Sequence, residues 1–391
     1  MNYKTYPIAD LIDEIAMGPF GSNIKVDCFV DKGIPVLNGS NLEGFELSEK
    51  SFRYVTEEKA DSLKKANAYK GDVVITHRGT LGQIVYIPQT AQRDRYVISQ
   101  SQFRVKCNKK VLPEYFVYYF HTPIGQHKLL SNASQVGVPA LARPSSTFQK
   151  IEIEIPDLET QRKVVKLIGS LQTRIKTNAE INDNLHQQAA TLFKALFVDL
   201  TPSDGTMPPN WTISTLGDAT EMGAGGDKPK ESSPVKTPLC PYPIYSNGIN
   251  DYGLYGYTND PKIKVESVTV SARGTIGYVC LRHTPYVPIV RLVTLIPDTK
   301  VLSAKYLYLY LRQLHITGTG TTQQQLTVPD FRKTEIIIPD KNTMDSFTET
   351  VTPLFEQIWA NEDENTKLAE VRDALLPKLM SGEIDVSDIQ L

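Results

Sequence analysis

An Arg-Gly-Thr tripeptide occurs twice in the chain, in nearly identical surroundings. Arg78 lies in VITHRGTLGQIV (74–85) and Arg273 lies in TVSARGTIGYVC (269–280), 195 residues further on. A guanidinium group offers five N–H donors to the acceptor groups of a ligand, and the neighbouring glycines allow a tight turn to present it. The pattern is compatible with recognition by hydrogen bonding, but an arginine repeated inside a structural turn more strongly favours a role in bracing the turn itself.

Sequence motifs for covalent chemistry are missing from the chain. It contains no phosphate-binding G-x-x-x-x-G-K-[ST] loop, no H-E-x-x-H or G-x-S-x-G motif, and no Asn-Pro-Pro-Tyr or Asp-Pro-Pro-Tyr tetrapeptide of the kind used by amino-methyltransferases. The Gly-rich GAGGDK (223–228) lacks the spacing of a phosphate loop and is interpreted as a simple loop. We therefore expect a binding protein rather than an enzyme, with no metal or cofactor bound to this chain.

The same order of predicted elements surrounds both arginine turns. Two strands flank each turn, an aromatic helix and a polar loop follow, and a strand with alternating apolar residues ends each block. The sequence thus predicts two related mixed α/β globules. The segments are 71–88, 113–122, 131–146 and 148–157 in the first half, and 265–281, 303–314, 317–327 and 331–340 in the second.

A long helix is predicted after each globule. From the final strands onward the two halves match at a constant offset of 183 residues, and seam residues recur at four- and three-residue steps over more than four heptads. Arg372 interrupts the second seam, and Pro353 is expected to kink that helix or to delay its first regular turn. The first seam is Val164, Ile168, Leu171, Ile175, Asn178, Asn182, Leu185, Ala189, Leu192 and Leu196. The second seam is Phe347, Val351, Leu354, Ile358, Asn361, Asn365, Leu368, Arg372, Leu375 and Leu379.

Two asparagines occupy equivalent seam positions in each helix. A buried Asn costs stability but fixes the register of a helix pair, because its amide is satisfied only by another polar group. If the helices run antiparallel about a pseudo-two-fold axis, Asn178 pairs with Asn365 and Asn182 pairs with Asn361. We therefore predict an antiparallel coiled coil. Two ordinary amphipathic helices that pack on their own globules are the alternative.

Composition limits the class of protein further. Of the 391 residues 40% are hydrophobic, which is enough for real cores, and no apolar run is long enough to span a membrane. The N-terminus lacks the pattern of a signal peptide, and the four cysteines form no C-x-x-C pair, which favours free thiols in a reducing cytoplasm. The net charge is −2, but residues 1–150 carry +5, residues 201–333 carry +3 and residues 334–391 carry −9. The two globules thus weakly favour anionic partners.

The doubled order of motifs resembles the specificity subunit of a type I restriction–modification system. The Arg-Gly-Thr-Leu/Ile-Gly turn, the polar Gln-rich loop, the Ile-Pro-Asp entry into a long helix and the final LLPKLMSGEID (375–385) are typical of that family, and the resemblance covers essentially the whole chain. It implies an α+β chain of four parts. These are a target-recognition domain in residues 1–158, a central helix in 159–200, a second target-recognition domain in 201–341, and a C-terminal helix and tail in 342–391.

The function implied by the resemblance is DNA recognition by a non-catalytic subunit. Each globule would recognise one half of a bipartite site in double-stranded DNA, and the helices would set the spacer and dock two methylation subunits. S-adenosylmethionine would bind those subunits, whereas ATP and Mg²⁺ would bind the restriction subunits. Three alternatives stay open: a recognition subunit of a type IIG- or IIB-like assembly, a fused methyltransferase–specificity enzyme, and a structural scaffold that binds no DNA.

Candidate DNA-binding residues under this hypothesis are basic, hydroxyl and amide side chains of the turns and polar loops, which suit phosphates and base edges. In the first globule they are Lys25, Arg78, Asn132, Ser134, Gln135 and Arg143. In the second globule they are Lys228, Lys230, Arg273, Thr321, Gln323, Gln324 and Gln325. The predicted register residues of the helix pair are Asn178, Asn182, Asn361 and Asn365.

Overall fold

A computed structural model describes residues 3–19, 23–131, 133–134, 138–318 and 325–386. The chain divides into two compact units, of which the first is Met1–Thr177 with Glu364–Leu391 and the second is Asn178–Asp363. Each unit therefore contains one globule and a part of both long helices. Within the described residues, no helix is both long and apolar enough to cross a membrane.

The elements of the two halves follow the predicted order. The first half contains strands β1 (Lys4–Pro7), β2 (Ile12–Met17), β3 (Ile34–Val36), β4 (Arg53–Val55), β5 (Asn67–Tyr69), β6 (Asp72–Thr76), β7 (Ile84–Tyr86), β8 (Arg95–Val97), β9 (Gln102–Cys107), β10 (Ala133–Ser134), β11 (Ala140–Leu141) and β12 (Glu152–Ile155). Its helices are α1 (Glu57–Ser62), α2 (Pro113–Phe120), α3 (Pro123–Leu130), α4 (Pro144–Phe148) and α5 (Leu158–Phe193).

The second half contains strands β13 (Thr212–Thr215), β14 (Thr220–Ala224), β15 (Ser232–Ser233), β16 (Tyr242–Tyr245), β17 (Leu254–Thr258), β18 (Ser267–Val270), β19 (Val279–Arg282), β20 (Val287–Pro288), β21 (Val293–Pro297) and β22 (Glu335–Ile338). Its helices are α6 (Leu216–Ala219), α7 (Ala304–Gln313), α8 (Val328–Phe331) and α9 (Lys341–Ser381). The predicted α+β organisation, with two mixed α/β globules each followed by a long helix, is confirmed.

The two globules share one sheet topology. An antiparallel sheet has the order β2-β9-β6-β7 in the first globule and β14-β21-β18-β19 in the second. A second sheet contains a parallel pair in both, β3 with β8 and β16 with β20. Strand β6, before the first arginine turn, has an apolar core on both faces, since Val73 and Ile75 belong to one core and Val74 belongs to another. This explains the continuous apolar run that precedes the turn.

The two long helices pack against each other and run antiparallel, as predicted. In the second unit, Asn361 Nδ2 donates to Asn182 Oδ1 at 2.7 Å, and both asparagines are buried. In the first unit, Arg174 and Glu364 form a two-pronged ion pair, with both N···O distances at 3.0 Å. The predicted pairing of Asn182 with Asn361 is thus confirmed, and a polar contact accompanies the apolar seam in each unit.

The other two seam asparagines also lie at the helix pair. Asn178 is buried, and Asn365 Nδ2 donates to the carbonyl oxygen of Ile175 at 3.3 Å in the first unit. This bond connects the side chain of Asn365 in α9 to the backbone of α5. Their part in setting the register stays a prediction.

The seam prediction fails at the end of α5. Leu192 is 36% exposed, whereas Phe193 and Phe197 are buried. Here the chain leaves the regular α-helix, and Lys194–Val198 form a π-helical segment. A strict heptad drifts against the 3.6-residue period of a straight helix. Phe193 and Phe197 pack against Phe347 of α9 and also against Tyr306 of α7, in the core of the second globule. The buried stripe therefore shifts by one residue.

Two further expectations concern α9. The helix begins at Lys341 and continues through Pro353, so the proline does not delay its first turn. Arg372, which interrupts the predicted apolar seam, is half-buried. Its guanidinium lies 5.3 Å from the ring centroid of Phe45 and its Nε donates to Asp373 Oδ1 at 2.7 Å. A cation over an aromatic face explains how an arginine fits into the inner side of this helix.

The last turns of α9 belong to the core of the first globule. Leu376, Leu379 and Met380 are buried there, together with Val386 from the segment after the helix. Tyr3 donates its hydroxyl hydrogen to the carbonyl oxygen of Leu379 at 2.9 Å, which satisfies a helix-end acceptor. The C-terminal part of the chain thus completes the first unit.

Candidate nucleic-acid interface

Each Arg-Gly-Thr turn connects two antiparallel strands, β6 with β7 and β18 with β19. The glycines at both ends of each turn have left-handed backbones, with φ of 89° at Gly79 and 87° at Gly82, and of 68° at Gly274 and 84° at Gly277. A Cβ atom on Gly82 would lie 2.5 Å from Oε1 of Gln126, whose flexible side chain would have to move. The left-handed backbone thus favours glycine at these positions, and the turn holds an exposed arginine at its tip.

The polar loop of each globule is bonded to the residue before the arginine. The amide of Leu141 donates to the carbonyl oxygen of His77 at 2.9 Å, and the amide of Leu326 donates to that of Ala272 at 3.0 Å. Both leucine side chains are buried. The same bond in both globules places turn and polar loop side by side, which the linear spacing alone did not establish.

The segment just before β9 or β21 is also connected to each turn, directly in the first globule and through a side chain in the second. In the first globule the amide of His77 donates to the carbonyl oxygen of Ser101 at 2.8 Å. In the second globule Asn247 makes the connection, since its Oδ1 accepts from the amide of Ala272 and its Nδ2 donates to the carbonyl oxygen of Val290, both at 2.7 Å. The candidate interface of each globule therefore has three parts: turn, polar loop and this second segment.

His77 supports the turn through its backbone and through its ring. Burial lowers the pKa of His77 below its ordinary value, partly opposed by the hydrogen bond to the carbonyl oxygen of Gln100. His77 Nε2 lies 3.1 Å from that oxygen, and because a carbonyl only accepts, Nε2 must carry the hydrogen. The imidazole is therefore neutral near pH 7 and bonded to the backbone.

The candidate DNA-binding residues that the structure describes lie mostly at the surface. Those that are exposed are Lys25, Arg78, Arg143, Lys228, Lys230 and Arg273, whereas Gln325 is half-buried. Ser134 lies in β10 and its side chain is outside what is described. Five further candidates lie outside the described residues: Asn132, Gln135, Thr321, Gln323 and Gln324.

The two turn arginines have different surroundings. Arg273 Nη2 donates to Gln325 Oε1 at 3.1 Å. Gln325 precedes Leu326, and the residue that precedes Leu141 in the first globule is Ala140, which has no polar side chain. Equivalent positions thus differ between the two globules, since one carries an amide side chain and the other carries no hydrogen-bonding side chain.

Several side chains of the interface were missed by sequence reasoning. Asn247, Val290 and Arg291 were not singled out, although a third repeat could have pointed to the first of them. PVLNG (35–39) and PIYSNG (243–248) both begin within one strand of the parallel pair and end in Asn-Gly just after it. The one-residue difference in length hides this match from a search at fixed offset.

Within the described ranges, no group of three or more His, Cys, Asp or Glu residues could hold a metal ion. All four cysteines are free thiols. The exposed features of the two turns are guanidinium, ammonium, amide and hydroxyl groups, which can form hydrogen bonds and ion pairs. This arrangement suits binding of an extended anionic partner.

The family model described as Type I restriction modification DNA specificity domain matches residues 5–187 and again residues 208–370. The chain belongs to this family. It is the DNA specificity subunit of a type I restriction–modification system, a non-catalytic component of that enzyme. The two matches coincide with the two halves of the duplicated fold, so both globules are of the same specificity-domain type.

Relatives agree with this assignment over most of the chain. The Type I restriction enzyme MjaIX specificity subunit of Methanocaldococcus jannaschii is 24% identical, with 97% of this chain and 93% of that protein covered. The HindI specificity subunit of Haemophilus influenzae is 25% identical, with 81% and 87% covered. The crystal structure of the type I S subunit from M. genitalium is similar in fold, with 15% identity, a TM-score of 0.58 and coverage of 97% and 96%.

Proposed function

We propose that each globule of this specificity subunit recognises one half of a bipartite DNA site. Residues 1–158 and 201–341 act as the two target-recognition domains, and the helical residues 159–200 and 342–391 set the spacer and dock two methylation subunits, which restriction subunits then join. The main support is the duplicated arrangement of turn and polar loop, with the same bonds from Leu141 to His77 and from Leu326 to Ala272. Different side chains on equivalent frames are what recognition of two different half-sites requires.

Exchange of one globule tests the proposal. Residues 1–158 are replaced by the same domain of a related specificity subunit, the chain is produced with its methylation subunits in cells, and the methylated motif is determined by methylome sequencing. We expect one half of the motif to change and the other half to stay as in the wild type. A motif that changes in both halves would refute the assignment of one globule to one half-site.

Charge and amide substitutions in the second globule should have different signatures. Lys230→Ala removes an exposed positive charge, so we expect weaker binding to all sequences and a salt dependence flatter by about one unit. Gln325→Ala removes the acceptor that orients Arg273, so we expect relaxed discrimination at one position of one half-site and an unchanged salt slope. Binding of the full complex to cognate and single-mismatch duplexes over a range of salt concentrations measures both quantities. If Gln325→Ala discriminated as well as the wild type, the polar loop would not contribute to recognition.

A further inference from the structure

Val290 and Arg291 form a strained segment on the surface of the second globule. Both have left-handed backbones, with φ of 53° and 61°. A left-handed conformation is unfavourable for any residue other than glycine, and a β-branched valine is among the least suited to it. Nevertheless Val290 is 50% exposed and Arg291 is exposed, so no burial of either side chain compensates for the strain.

Three hydrogen bonds hold this segment in place. The amide of Val290 donates to the carbonyl oxygen of Gly226 at 2.9 Å, and the amide of Arg291 donates to that of Gly225 at 2.8 Å. Asn247 Nδ2 donates to the carbonyl oxygen of Val290 at 2.7 Å. Gly225 itself has no room for a side chain, because a Cβ atom there would lie 2.7 Å from the carbonyl carbon of Pro288. The conformation is thus fixed by its surroundings.

The same asparagine connects the strained segment to the arginine turn. Asn247 Oδ1 accepts from the amide of Ala272, the residue before Arg273. One side-chain amide therefore holds both the backbone that carries Arg273 and the backbone that carries Arg291. Both guanidinium groups are exposed, and Arg273 uses one of its donors on the neutral side chain of Gln325. A guanidinium has five N–H donors, so both arginines can donate to an external acceptor.

The first globule has a different surface at the equivalent place. The segment before β9 is Ser99-Gln100-Ser101, whose backbone is not left-handed, and it contacts the turn through His77. Gly18 packs closely against this segment, as Gly225 packs against the strained segment of the second globule. A Cβ atom on Gly18 would overlap the carbonyl oxygen of Ser99. A duplicated frame thus presents serine and glutamine in one globule and valine and arginine in the other.

We propose that Val290 and Arg291 are specificity-determining residues for the half-site of the second globule, and that Asn247 is their positioning residue. The proposal rests on the proposed recognition of one half-site by each globule. Arg291 would donate to the O6 and N7 acceptors of a guanine in the major groove, and the methyl groups of Val290 would contact the adjacent base pair. Because the strained backbone is already ordered, the segment loses little conformational freedom when DNA binds.

The test uses the full chain with its methylation subunits in cells, with methylome sequencing as the measurement. For Arg291→Ala we expect discrimination at one position of one half-site to fall about tenfold or more, with the other half-site unchanged as an internal control. Lys264→Ala, an exposed lysine of the same globule, is the matched control and should leave the motif intact.

A second variant separates positioning from a general structural role. Asn247→Asp keeps an acceptor for the amide of Ala272 and removes the donor to the carbonyl oxygen of Val290. We expect it to relax the position that Arg291→Ala relaxes and to spare the position that Arg273→Ala relaxes. Loss of both positions would show that Asn247 only stabilises the turn and would overturn its assignment.

The outcomes distinguish this inference from the proposed function. A wild-type complex that methylates no bipartite motif would refute the proposed function itself. A bipartite motif that Arg291→Ala leaves equally stringent would overturn the inference alone. A uniform loss of methylation across all sequences would assign Arg291 to a phosphate contact and would also overturn base recognition by this residue.

Discussion

Matched insertions of seven residues, one after Thr177 in α5 and one after Asp363 in α9, are expected to lengthen the spacer of the methylated site and to leave both half-sites unchanged. Seven residues keep a heptad seam in phase and add about 10 Å of helix, the length of about three base pairs of DNA. The insertion points lie at the boundaries of the two compact units. The ion pair of Arg174 with Glu364 and the pair of Asn182 with Asn361 therefore each stay within their own unit.

Methylome sequencing of cells that contain the variant and its methylation subunits gives the new spacer directly. A seven-residue insertion after Gly205, in the loop that follows α5, is the matched control because it adds the same length outside the helix pair. It should leave the spacer as in the wild type. An active complex with insertions in both helices and an unchanged spacer would show that the helices do not set the distance.

Features that depend on neighbouring residues were predictable from the sequence. The arginine turns, the aromatic helices and the final strands have local patterns, and the duplication made each pattern visible twice. Strand β12 illustrates this, because Ile153 and Ile155 are buried while Glu152 and Glu154 face solvent, as the alternation predicts. The antiparallel pairing of the two helices was also predictable from the sequence, because equivalent asparagines in two copies of one seam restrict the possible registers.

Features that depend on distant residues were not predictable in the same way. Asn247, Ala272 and Val290 are brought together only by the fold, through side-chain bonds that span 25 and 43 residues. Nothing in the local sequence marks Val290 or Arg291 as left-handed, because neither is a glycine or an asparagine. The three-part interface of the second globule therefore becomes visible only after the strands have been paired.

The end of α5 gives the clearest contrast between pattern and packing. The heptad pattern places Leu192 in the seam, whereas the structure buries Phe193 instead. The Phe193 ring lies 5.4 Å from the ring of Tyr306 and 6.0 Å from that of Phe347, measured between centroids. Phe193 therefore contacts α9 and α7 at the same time, whereas a heptad pattern describes the contacts of two helices alone.

Phe193→Ala is therefore expected to lower the free energy of unfolding of the second unit by about 3–5 kcal/mol, because it leaves a cavity among aromatic rings. Leu192→Ala, the adjacent residue on the same helix, should cost less than about 1 kcal/mol because its side chain is already partly in solvent. Both tryptophans of the chain, Trp211 and Trp359, lie in the second unit, so their fluorescence during denaturant unfolding reports that unit specifically. An equal or larger loss for Leu192→Ala would restore the heptad seam and contradict the shifted stripe. The expected order of the two variants instead assigns this stretch of α5 to the core of the second globule.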